Sequence, residues 1–445
     1  MSQEVYRIEG VIRGITDGNC ILAYNHYSSQ LYAKDTAKVD KTGRIIFSKN
    51  EKLDTGIYEI LLPNRNKTIS LIISDAQQFS FSTDTSDIIE KMKIMNSHEN
   101  KLFYDFQKFM KVNQEKYKEA KLSKNQNIIL DERKVFYEKF INKNKGYYVT
   151  KLLKTAADTD ISNAPKLPNG SIDSTKLFEY YKAHYWDNFD FSDTRLAKTP
   201  FLHQKLERYI KNLTIQREDS IIKSANQLIN KAQKGYQKDF VSYIISYITN
   251  QYEIPKIMGT EGVFVHMVEN YYLTEIITLN DTSTLKALKE KISILKPLLL
   301  NREIPNIGVQ NIRGSFSYIY ELNGDFNVIF FYSPSCGHCK EAAPKLKSFY
   351  DKYRNYGVQV MPISIEGSEE DWKKFISDNK WQNLANGYGL TVSRKVDYRK
   401  DYDAISTPTI YIVDKNHKII ARRIGVEDLE PFYNLHSKDN PLISK

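Results

Sequence analysis

An apolar run, Val328-Ile329-Phe330-Phe331-Tyr332, stops at Ser333-Pro334-Ser335 and gives way at once to Cys336-Gly337-His338-Cys339-Lys340. The run is β-branched and aromatic, with Asn323-Gly324-Asp325 before it and Ser-Pro-Ser after it, so it reads as a buried strand. Beyond Cys339 the period changes. Ala342, Ala343, Leu346, Phe349, Tyr350 and Tyr353 recur at helical spacing, which predicts a helix from about Gly337 to Arg354. A strand that feeds directly into a helix, with two cysteines at the junction, leaves few arrangements open to this part of the chain.

That placement has chemical consequences. The unpaired N–H groups and the positive dipole end of a helix N-terminus favour a thiolate. Such positions lower a cysteine pKa from about 8.5 to roughly 3.5–7.5, and the thiolate is the nucleophile in disulfide exchange. Two intervening residues allow the second thiol to close a small ring onto the first. Cys336, the outer member, is expected to attack, and Cys339, one turn inside, to resolve the mixed disulfide.

Cys336-Gly337-His338-Cys339 behind an aromatic strand resembles the active site of the thioredoxin superfamily. Ser406-Thr407-Pro408-Thr409-Ile410-Tyr411-Ile412-Val413 resembles the same family's Thr-Pro segment. In that family a cis-proline there faces the cysteines and opens a strand. The resemblance covers about Ile304 to Leu442 and implies a C-terminal α/β thioredoxin-like fold. The wide spacing between Cys336 and Pro408 leaves room for an inserted element, as in the TlpA/ResA-like branch, and the segment from Gly387 to Ile405 fits it. The resemblance further implies Cys336 and Cys339 as catalytic residues, with Pro334, Gly337, His338, Thr407 and Pro408 as supporting groups. It implies no cofactor beyond a redox-active Cys336–Cys339 disulfide, and no metal.

Two departures from the family limit what carries over. Thioredoxin buries an acidic residue six positions before its first cysteine, where this chain has Phe330. ResA-like members often carry a Glu three residues after the second cysteine, where this chain has Ala342. Glu341 is one place away, a turn of about 100° on a helix, and stands as a candidate proton shuttle or as a solvated surface residue. His338, between the cysteines, would stabilise a neighbouring thiolate if its imidazole reached it, making the pair more oxidising than thioredoxin. Characterised dithiols of this kind span about −270 to −120 mV, so the motif alone does not set the direction of electron flow.

The rest of the 445 residues must fill more than one core, since single cores rarely grow past roughly 250–300 residues. We expect a multidomain chain: residues 1–86 a small all-β sandwich or barrel, residues 87–300 an all-α helical bundle, and residues 301–445 the thioredoxin-like domain. Short alternating runs such as Val5–Ile12, Thr68–Ile73 and Gln78–Ser82, separated by turns such as Asp40-Lys41-Thr42-Gly43 and Pro63-Asn64-Arg65-Asn66, support the first. From about Asp87 the period becomes helical, with stripes at Leu102, Phe106, Phe109, Met110 and at Val135, Phe136, Phe140, Ile141. Further helices are expected at Ser174–Trp186, Phe201–Leu213, Ser220–Ala232, Asp239–Tyr252, Gly262–Leu273 and Ser283–Pro297. These two regions resemble domains that accompany thioredoxin-like modules in Gram-negative envelopes. Cys20 stands alone and reads as a small buried hydrophobe, and His98, His184, His203 and His266 are isolated rather than spaced as metal ligands.

The net charge of +10 is spread over scattered lysines, which points to a solvated surface and no nucleic-acid partner. No apolar run approaches the roughly 20 residues of a membrane span. Met1-Ser2-Gln3-Glu4 has neither a basic n-region nor an apolar h-region, so a cytosolic protein or a mature form with an added Met is expected. The family resemblance favours the periplasm or cell envelope, with protein disulfides or dithiols as substrates and a membrane or periplasmic redox partner. Two other readings of the paired cysteines remain open at this point: a copper(I)-binding metallochaperone-like protein, and a non-catalytic binding or scaffold protein.

Overall fold

The computed structural model describes residues 5–27, 30–64, 66–122, 126–274, 276–277 and 281–439. Met1-Ser2-Gln3-Glu4, Arg65 of the Pro63–Asn66 turn, and Leu442 lie outside them. The chain forms two compact units. One comprises residues up to Ile215 together with Ser224–Ile244, and the other Gln216–Lys223 with Ile245 onward.

The first unit begins with β1 (Tyr6–Arg13), β2 (Asn19–Asn25), β3 (Leu31–Lys38), β4 (Arg44–Lys49), β5 (Gly56–Leu61), β6 (Thr68–Ile73), β7 (Gln78–Asp84) and β8 (Lys93–Met95). They make two four-stranded sheets, in the orders β4-β1-β7-β8 and β3-β2-β5-β6. The strict alternation of β1 aims Tyr6, Ile8 and Ile12 into one core. There they meet Leu22, Ile60 and Leu71 of the other sheet, so the pair is a sandwich. Cys20 is fully buried in that core. The Asp40–Gly43 turn forms as expected, with Asp40 Oδ1 accepting from the N–H groups of Thr42 and Arg44 and Gly43 at a positive φ.

β8 departs from the sequence expectation, which placed helix from Asp87. Lys93–Met95 are extended because they pair with Ser80–Ser82 at the sheet edge, a contact that no local period announces. Helices then follow: α1 (His98–Leu122), α2 (Gln126–Lys143), α3 (Tyr148–Ala156), α4 (Ser174–His184) and α5 (Phe201–Lys211). The Phe106 and Phe109 stripe of α1 meets Phe136 and Phe140 of α2, with Phe109 stacked on Phe136. α6 (Glu218–Gln233) and α7 (Lys238–Glu253) contribute residues to both units.

In the second unit, α8 (Glu261–Met267) runs into a π-helical turn at Val268–Tyr272, and α9 (Thr282–Leu295) into a 3₁₀ turn at Lys296–Leu298. The helix expected over Gly262–Leu273 thus changes hydrogen-bond period part-way. A seven-stranded mixed sheet follows, built from β9 (Gly308–Gln310), β10 (Phe316–Tyr318), β11 (Phe326–Tyr332), β12 (Val358–Ser364), β13 (Gly387–Val392), β14 (Thr409–Val413) and β15 (Ile419–Arg422), in the order β10-β9-β13-β12-β11-β14-β15. Between its strands run α10 (Gly337–Tyr353), α11 (Glu369–Asp378) and the short α12 (Tyr398–Asp401), and α13 (Leu429–Asp439) ends the described chain.

β11 lies in the interior of this sheet, parallel to β12 and antiparallel to β14, and every one of its residues is buried. That is why it reads as an unbroken apolar run. Phe326, Val328, Phe330 and Tyr332 enter one core with Cys339 and Leu346 of α10, while Ile329 and Phe331 enter another. The second core also holds Leu298, Ile304 and Ile307, so packing joins the end of the helical stretch to the sheet. No helix among the described residues is long and apolar enough to cross a membrane.

Candidate active site

β11 delivers the chain at Tyr332 into a turn closed by Cys336 N–H donating to Ser333 O (3.1 Å), with the hydroxyls of Ser333 and Ser335 2.9 Å apart. Cys336 is the N-cap of α10: its sulfur accepts from the Cys339 N–H at 3.4 Å, and its carbonyl accepts from Lys340 N–H. A thiolate is thereby offered the orphan donors of a helix start. From the far side comes the segment before β14. Thr407–Pro408 is a cis peptide, and the Cys336 thiol donates to Thr407 O at 3.3 Å.

The two thiols are both free and differ sharply in environment. Cys336 is half-buried, whereas Cys339 is fully buried. Burial opposes ionisation of Cys336, but the Thr407 hydroxyl, the Cys339 thiol and the N–H groups of Cys339 and His338 outweigh it, and its pKa falls below that of an ordinary thiol. The contact to Thr407 O works the other way, since a carbonyl holds the proton on sulfur, but it does not prevail. Cys339 is pushed up to about 12, first by burial and then by the neighbouring Cys336, against a Ser333 N–H that favours its thiolate.

The supporting residues named from sequence are divided by the structure. Thr407 touches Cys336 directly, and Thr409 Oγ1 ties back to Ser406 O at 2.6 Å behind it. Pro334 is buried, and its ring lies where a Cβ added at Gly367 would meet it at 3.4 Å. Gly337 faces open space, so no close approach demands glycine there. The side chains of His338 and Glu341 are 86% and 80% exposed and face each other across 4.0 Å. What His338 offers Cys336 is its backbone N–H. The core around Cys339 holds Phe330 and Ala342, and Tyr332 packs there on Phe375 and Trp381. The Tyr332 hydroxyl is buried and has no hydrogen-bond partner among the described residues. Nothing in the sequence singles out this phenol, because an aromatic at a strand end reads simply as core. The described residues contain no group of three or more His, Cys, Asp or Glu side chains placed to hold a metal ion.

Residues 300–422 match the AhpC/TSA family. Residues 6–103 and 114–294 match two domains of unknown function, DUF4369 and DUF5106. The thiol-disulfide oxidoreductase ResA of Bacillus thuringiensis (strain Al Hakam) is 26% identical over 157 residues, which is 34% of this chain and 82% of that protein. A solved domain of a possible thiol-disulfide isomerase from Cytophaga hutchinsonii is 36% identical and spans 32% of this chain and 96% of that one, with a TM-score of 0.30. The chain belongs to the TlpA/ResA-like branch of the thioredoxin superfamily. A thioredoxin-like protein from Bacteroides caccae, 18% identical, aligns with 61% of this chain and 98% of its own at a TM-score of 0.46. As a TlpA/ResA-like protein this chain is an oxidoreductase of the thiol–disulfide class, and the copper-carrier reading is not favoured.

Proposed function

We propose that Cys336 and Cys339 exchange disulfides with protein partners. The Cys336 thiolate attacks one sulfur of a partner disulfide. That S–S bond breaks, a Cys336–partner disulfide forms, and the released partner sulfur takes up a proton. Cys339 then gives up its proton and attacks Cys336 Sγ. The mixed disulfide breaks, the second partner sulfur is released and protonated, and the Cys336–Cys339 disulfide remains. The partner has gained two electrons and two protons. Run in reverse, the same steps oxidise a dithiol.

One observation carries this reading: the two sulfurs have opposite ionisation tendencies, the accessible one lowered and the buried one raised. An attacking thiol must be ionised and reachable, while a resolving thiol must wait until a mixed disulfide is beside it. The exposed Ser406 and the half-exposed Thr407 and Pro408 could pair with an extended partner segment as an added strand. By analogy with the envelope proteins that the sequence resembles, we place the protein in the periplasm or cell envelope, with a membrane or periplasmic redox partner. Insulin reduction tests the chemistry. The wild type should turn over, Cys336→Ser should be inactive, and Cys339→Ser should accumulate mixed disulfide. Cysteine-independent turnover, or none in the wild type, would overturn the reading.

A further inference from the structure

Beyond Ala404, which is buried in the second core, the segment that brings Thr407 to Cys336 has little packing of its own. Ile405 is 65% exposed, Ser406 is exposed, and Thr407 and Pro408 are partly exposed. Its C-terminal end is held by the sheet, where Thr409 pairs with Phe331. Its N-terminal end is Asp403, at a positive φ of 49° and 5% exposed. Asp403 Oδ2 accepts from Arg422 NH2 at 2.8 Å and lies 2.7 Å from Arg423 NH2, and the same Arg423 nitrogen donates to Asp403 O at 3.3 Å.

Arg422 is itself gripped from the helical stretch of the same compact unit. Its Nη1 donates to Leu298 O at 3.1 Å, its Nε lies 3.9 Å from Glu261 and its backbone N–H meets Met258 Sδ, while from the sheet the Tyr411 ring of β14 lies 5.9 Å from its guanidinium. With a side chain only 1% exposed, Arg422 is an expensive way to gain stability, because a buried ion pair is often no better than an apolar replacement.

We infer that Asp403, Arg422 and Arg423 form a positioning clamp that sets the Thr407 edge of the redox site and thereby the reactivity of Cys336. Residues 258–298, through Leu298, Glu261 and Met258, are then a buttress of the redox module. The inference rests on Cys336 being the attacking thiol. Its experiment reads Cys336 ionisation directly and does not depend on turnover.

The full-length chain carrying Cys339→Ser is compared with the same chain carrying Asp403→Asn or Arg423→Gln. The rate of reaction with a small aromatic disulfide is followed against pH, and melting is recorded alongside. Arg423→Gln cuts only the half-exposed arm, so it keeps the test alive if Asp403→Asn does not fold. The expected result is a Cys336 profile displaced to higher pH, with a rate at neutral pH slower by about threefold or more. Arg423→Lys should restore most of it, because a single nitrogen makes both contacts to Asp403. Lower melting with an unchanged Cys336 profile would mean a merely structural ion cluster and would overturn the inference, as would no change in either. A parent chain whose Cys336 does not react at all would instead refute the exchange chemistry itself.

Discussion

The separation of the two thiols can be worked into a rate. An ordinary thiol has a pKa of about 8.5–9 and Cys339 is pushed up to about 12, so its thiolate is scarcer by at least about three orders of magnitude at neutral pH. Greater basicity recovers part of this. With a Brønsted slope of about 0.4–0.5, three pH units return about 15- to 30-fold. Ionisation alone therefore leaves Cys339 about 30- to 60-fold slower than an ordinary thiol toward a small disulfide, and complete burial slows it further. Cys336 is shifted the other way, so the contrast between the two sulfurs is at least that large. The assay is native-state reaction of Cys336→Ser and Cys339→Ser with a chromogenic disulfide. Labelled peptides are assigned by mass spectrometry so that buried Cys20 is not counted. The Cys336 rate should level off at a lower pH than that of an ordinary thiol, whereas the Cys339 rate should still be climbing at pH 10. Comparable rates for the two variants, or a faster Cys339, would refute the reasoning.

Other expectations follow from the same geometry. His338→Ala should leave the Cys336 pH profile nearly unchanged, since the backbone N–H survives and the imidazole is solvated; a large displacement would show that the ring acts on the sulfur after all. Asn327 is fully buried and bridges Gly324 N–H and O with Asp414 O, so Asn327→Leu should cost about 2–4 kcal/mol in denaturant unfolding. Tyr332→Phe removes a buried hydroxyl that has no partner among the described residues and should be neutral or stabilising by up to about 1 kcal/mol. Because the fold prefers Cys339 neutral, its contribution to the stability of the reduced protein is complete below pH 9 and declines as pH rises toward 12. The reduced wild type should lose up to about 1.4 kcal/mol per pH unit relative to Cys339→Ala over that window.

Local pattern determined much of this protein. An all-buried strand, a helix that starts one residue after Cys336, and the reactive pair on that junction were legible because β11 and α10 have distinct periods and a cysteine can cap a helix. The Asp40 turn was legible for the same reason: its hydrogen bonds close within four residues. What no local pattern records was settled by packing across long stretches of chain. β8 became a strand because β7 offered it an edge. Leu298 joined the core of the redox module that also holds Ile304 and Ile329, whatever the helical period around residue 298 implied. The difference between the two sulfurs was likewise decided in three dimensions. Position on the helix already separated an outer thiol from an inner one, but their environments came from the fold: one faces Thr407 at the surface while the other is driven into an apolar core, where charge is costly.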